Sequence, residues 1–71
     1  LDVYVTFDST HEAMRLDRLL SQNQVAHELV PIPRSLGSAC GVAVRLRPED
    51  QARAASIAAA GDVRTKGFHQ L

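Results

Sequence analysis

The chain predicts an α+β fold, a ferredoxin-like βαββαβ sandwich with a four-stranded antiparallel sheet in the order 4-1-3-2 and two helices on one face. Three observations carry this reading. Apolar residues alternate over residues 3–7 and again over 42–46, the period of a half-buried strand. A segment with helical spacing follows each of those strands. A further strand-like segment carries Pro31, which cannot donate to a ladder and therefore belongs at a sheet edge, where this order places strand two.

The elements follow in turn. Val3, Val5 and Phe7 alternate with Tyr4 and Thr6 to make the first strand, which Asp8, Ser9 and Thr10 break. Ser9 and Glu12 have capping-box spacing, so the hydroxyl can receive the Glu12 N–H while the carboxylate reaches back. Ala13, Leu16 and Leu20 then form an apolar stripe with Glu12, Arg15 and Arg18 left to solvent, and this helix is expected to end near Gln22 or Asn23. The second strand spans residues 26–32 and the third spans 42–46. Pro48 starts a second helix, with Glu49 and Asp50 in a first turn where the helix dipole favours anions. Residues 52–60 are alanine-rich around Ile57, suited to close packing, and Gly61 is a natural stop. Residues 63–69 make a weaker last strand with Gly67 inside it.

Composition narrows the function classes. With 71 residues the chain reads as a single domain, and one this small buries only about 60% of the surface its unfolded form exposes. A groove, a sheet face or a loop end suits it better than an enclosed cavity. Eight basic residues balance eight acidic ones, which removes the electrostatic argument for nucleic acid or membrane. No apolar run approaches the ~20 residues of a membrane helix, and no leader pattern is present. The chain begins at Leu1, which is compatible with its being a module of a larger protein. One cysteine excludes an internal disulfide framework and a multi-cysteine zinc site, and a free thiol fits the cytoplasm. No His, Asp or Glu pair has metal-ligand spacing, and no phosphate-loop or Ser-His-Asp pattern occurs, so neither metal nor cofactor is expected.

The cysteine is the residue that points to chemistry. Cys40 lies among small residues, with Gly37 before it and Gly41 after it. Small neighbours leave a sulfur approachable, and glycines let backbone N–H groups turn toward an anion. The competing reading is a small buried hydrophobe, since free cysteine is among the most buried residue types. The expected topology favours a site. The loop after the first strand and the loop between the second and third strands meet at one end of the sheet. That brings Cys40 to the start of the first helix, where partial positive charge favours a thiolate. Arg34 would supply a permanent charge and His11 a titratable one, while Ser9, Thr10 and Ser38 would supply hydroxyls. Each has a plainer role open to it: Ser9 as a cap, His11 and Arg34 as surface residues, Gly41 as a turn former. His27 and His69 read as non-functional.

One sheet face is expected to carry Val3, Val5, Phe7, Val42, Val44 and Leu46 against the helices. The other would show Tyr4, Thr6, Ala43 and Arg45, with Arg64, Lys66 and Phe68. A basic face with aromatics is shared by single-stranded RNA platforms of this fold. Their Gly-aromatic run on the third strand is lacking, so a homodimer through this face, or docking to a partner protein, is the expected use.

Ser9-Thr10-His11-Glu12-Ala13, Pro31 to Leu36, Ser38 to Arg45, and Pro48-Glu49-Asp50 together resemble a small bacterial family, the putative selenium/sulfur carrier protein-like family. The similarity runs over almost the whole chain. It implies a cysteine that accepts selenium or sulfur and passes it on, with donor and acceptor proteins as partners, at most a thiol-based relay rather than a turnover enzyme. The family's thiol corresponds to Cys40, its glycine to Gly41, its arginine to Arg34, and its Ser-Thr-His turn to Ser9, Thr10 and His11. Gly37 and Ala39 stand where the family tends to place serines. Cys40 is not followed by proline, unlike the small sulfur carriers with a Cys-Pro motif. The alternative function is a non-catalytic binding or regulatory module that holds an anion or a partner at the loop end or on the open face.

Overall fold

A computed structural model of the chain describes residues 1–37 and 40–71. Strand β1 (Val3–Thr6) leads to helix α1 (Thr10–Gln22), strand β2 (His27–Pro31), strand β3 (Val42–Leu46), helix α2 (Gln51–Ala60) and strand β4 (Gly67–Gln70). Short 3-10 turns occupy Arg34–Leu36 and Pro48–Asp50. The sheet order is β2-β3-β1-β4, which is 4-1-3-2 read from the other edge, and every neighbouring pair is antiparallel. Pro31 sits on the β2 edge, where its missing N–H costs nothing in the ladder.

Register fixes which side chains share a face. Val5 pairs with Val44 and with Phe68, and Val3 with Leu46. These residues meet Ala13, Leu16 and Leu20 of α1 and Ala54 and Ala58 of α2 in the core. Phe68 therefore lies on the helix face, not on the open face expected from alternation. The reason is the shortness of β4. Residues 63–66 are not strand, so Arg64 and Lys66 fall in the α2–β4 connection, and pairing to β1 sets the parity afresh from Gly67. Thr6 and Ala43 do face away from the helices, yet both are buried, at 2% and 0% exposure. His69 helps to cover Thr6, its Nε2 lying 3.1 Å from the threonine Oγ1.

Both helices close in the same way. At the end of α1 the Gln24 N–H bonds the Ser21 carbonyl and the Val25 N–H bonds that of Leu20, at 3.1 and 2.9 Å. At the end of α2 the Asp62 N–H bonds Ala59 and the Val63 N–H bonds Ala58, at 3.2 and 2.8 Å. These are Schellman closures, each followed by a buried valine. Gly61 is the residue at which α2 ends, and a Cβ there would run into the Leu19 side chain. The left-handed position belongs to Asp62, at φ 56°, as it belongs to Gln24, at φ 59°, after α1. Pro48 opens a 3-10 turn instead of the helix itself, and α2 begins at Gln51.

Candidate functional site: a cysteine at the start of helix α1

The segment after β1 becomes helical because Ser9 caps it. Ser9 is extended, at φ −143° and ψ 151°, and its Oγ accepts the Glu12 N–H at 3.3 Å. The Ala13 N–H bonds the Ser9 carbonyl at 3.4 Å as the helix ladder begins. The Thr10 and His11 N–H groups precede that ladder and project from the positive end of the helix.

Cys40 stands beside this helix start. The Thr10 hydroxyl donates to the Cys40 carbonyl at 3.2 Å, and the Cys40 Sγ lies 3.8 Å from the same hydroxyl oxygen. The cysteine is half-buried and packs against the edge of the core. It is thus neither a fully enclosed hydrophobe nor a side chain projecting into water. Gly41 follows at φ +79°, a left-handed conformation that disfavours any residue with a Cβ. A Cβ there would meet nothing within 4 Å, so conformation and not space calls for glycine. The Gly41 carbonyl accepts the Ile32 N–H at 3.1 Å, which closes the loop between β2 and β3 at its base.

The other expected site residues are placed less closely. Arg34 is exposed in the 3-10 turn, and its guanidinium has no acidic partner among the described residues. His11 is exposed on the first turn of α1. Ser38 lies outside the described residues. Among the described residues no group of three or more His, Cys, Asp or Glu side chains gathers as a metal site, and no helix is long and apolar enough to cross a membrane.

Two residues that the sequence left to solvent turn out to be structural. The Glu12 carboxylate does not return to its cap. It accepts the Arg64 backbone N–H at 3.0 Å and the Arg15 guanidinium at 3.2 Å. Arg15 also donates to the Gly61 and Asp62 carbonyls, at 2.8 and 3.3 Å. The Arg64 N–H, followed by the Arg15 charge, holds the Glu12 carboxyl below the usual glutamate value. The i,i+3 spacing of Glu12 and Arg15 is visible in the sequence, but the backbone groups they bond lie 46 to 52 positions away.

The opposite end of the sheet carries a closed charge network. Arg45 pairs with Glu28 and lies 3.9 Å from Asp2, with its pKa raised first by a hydrogen bond to Tyr4 and then by Glu28. Arg47 bonds Asp50 at 2.8 Å and faces Glu49. The cation on the open face is therefore neutralised in place. His27 joins β2 to α1, with Nε2 at 2.7 Å from Asp17 and Nδ1 at 2.8 Å from the Val25 carbonyl.

Fold and site together define a small ferredoxin-like α+β protein with its only cysteine held at a helix start. The chain belongs to the family described as "Putative Se/S carrier protein-like", whose model matches residues 2–70. Searches of curated proteins and of solved structures returned no match.

Proposed function

We propose that the protein carries sulfur or selenium on Cys40 between a donor and an acceptor protein. The observation that supports this reading most is the 3.8 Å approach of Sγ to the Thr10 hydroxyl at the first turn of α1, in a chain of a carrier family. A helix N-terminus stabilises an anion, whether thiolate, persulfide or perselenide, and Thr10 fixes the cysteine beside it through the Cys40 carbonyl.

The exchange balances without an external oxidant. The Cys40 thiolate attacks the outer sulfur of a donor persulfide. A new S–S bond forms on Cys40 as the donor's S–S bond breaks, and the donor leaves as a thiolate that takes up a proton. Where the donor's outer atom is selenium, the same exchange places selenium on Cys40. An acceptor thiolate then repeats the attack on that outer atom. In this reading the first-turn N–H groups stabilise the bound anion, and Thr10, whose proton goes to the Cys40 carbonyl, holds the cysteine beside them. Arg34 and His11 serve from the rim as fixed and titratable charges, Gly41 sets the turn, and Ser9 holds the helix start in place.

The test is intact mass after incubating the reduced protein with a donor persulfide or its selenium counterpart, a donor thiol bearing an outer selenium. One added sulfur or selenium on the wild type, lost in Cys40→Ala, is the expected result. No adduct, together with slow alkylation of the thiol, would leave Cys40 as a packing residue and overturn the carrier reading.

A further inference from the structure

The first turn of α1 is gripped from two sides. Thr10 and Glu12 are two residues apart on a helix, so they project about 200° from each other. Thr10 reaches the β2–β3 loop through the Cys40 carbonyl. Glu12 reaches the α2–β4 connection through the Arg64 N–H, and Arg15, one turn on, holds the Gly61 and Asp62 carbonyls of the same connection. A further bond, from the Lys66 N–H to the Thr6 carbonyl at 2.7 Å, fastens that connection to the end of β1. The connection is thus anchored to the sheet, and the helix start is anchored to the connection.

We infer that Glu12, backed by Arg15, is a positioning residue for Cys40: it holds the first turn of α1 where Thr10 meets the cysteine. This inference rests on the carrier reading only in taking Cys40 as the working group. The coupling runs through one rigid turn. If Glu12 releases Arg64, the start of α1 is free to rock about its cap, and the bond from Thr10 to the β2–β3 loop weakens with it. Glu12 and Arg15 bond the backbone of Arg64, Gly61 and Asp62, and Thr10 carries their effect to the cysteine.

The experiment compares Glu12→Ala, Glu12→Gln and Arg15→Lys with Arg47→Ala, which removes an ion pair at the far end of the sheet. Two quantities are read on each folded variant: the rate of Cys40 alkylation by iodoacetamide, and hydrogen exchange of the Ile32 amide, which bonds Gly41. Glu12→Ala is expected to raise both by about threefold or more through local opening. Glu12→Gln, whose amide oxygen can still accept the Arg64 N–H, should give a smaller rise, and Arg47→Ala none. If Glu12→Ala does not fold, Glu12→Gln and Arg15→Lys carry the comparison. The inference is overturned if exchange at the Arg64 amide rises while Cys40 and Ile32 keep their wild-type rates. It is equally overturned if Arg47→Ala moves them as much as the Glu12 variants do. The mass test on the wild type stands apart, so a protein that takes up no sulfur could still show the clamp, and the reverse.

Discussion

The two helices of this protein end alike and begin differently. Each closes with two crossed backbone bonds, a left-handed residue and a buried valine. At its start α1 has an extended Ser9 whose side chain caps it, while α2 follows directly from a 3-10 turn and has no side-chain cap bond. The packing differs as well. α1 buries Ala13, Leu16 and Leu20, whereas α2 buries only Ala54 and Ala58. One helix is fixed by large side chains and directed hydrogen bonds, the other by closeness. The helix with the built start is the one that meets the cysteine. A site that depends on a helix terminus needs that terminus in one place, and directed bonds provide this better than a smooth alanine face.

Substitutions can break this contrast, beginning with the largest effect. Leu16 is fully buried between the sheet and α1. Leu16→Ala should cost about 2–5 kcal/mol in denaturant unfolding, as large-to-small core changes do. The corresponding change in α2 is the reverse one. Ala54 is also fully buried, and Ala54→Leu should cost about 1–3 kcal/mol by overpacking. Similar losses for Leu16→Ala and a small-to-smaller change at Ala54 would show that the two helices pack by the same means after all.

A cap loss comes next. Ser9→Ala removes the acceptor for the Glu12 N–H and should cost about 1 kcal/mol, seen as a lower unfolding midpoint. α2 has no such bond to lose. The two ends, by contrast, should respond alike. Gln24→Gly and Asp62→Gly each relieve a left-handed side chain and should each raise stability by about 0.5–1 kcal/mol. Unequal gains would mean that one closure carries contacts the other lacks.

The last prediction concerns acid and the start of α1. The folded-state pKa of Glu12 is depressed, first by the Arg64 N–H and then by Arg15. Its contribution to stability is therefore present above the ordinary glutamate value of about 4.3 and is lost as pH falls through the lower folded value. Glu12→Gln should flatten that part of the stability–pH curve. A curve unchanged by this substitution would separate the carboxylate from the clamp.

Much of the fold was legible because its signals are local. The Ser9 cap, the stripe of Ala13, Leu16 and Leu20, the limits of β3 and the edge position forced by Pro31 each follow from a few neighbouring residues. The meeting of Thr10 and Cys40, thirty positions apart, followed from strand order alone. Other features were not legible. Phe68 changes face because β4 takes its parity from pairing with β1, and pairing is a long-range event. Glu12 and Arg15 look solvated on a helical wheel because the wheel does not contain the α2–β4 connection.

By itself, then, the sequence determined the βαββαβ order, the family and the presence of a single cysteine. Periodicity, capping and proline act over a turn or a strand, and that information is written in adjacent residues. Only the tertiary structure decided that the start of α1 is held on one flank by the α2–β4 connection and tied on the other to the cysteine's backbone. Those contacts join backbone groups whose partners are chosen by packing, and backbone groups are the same in every residue.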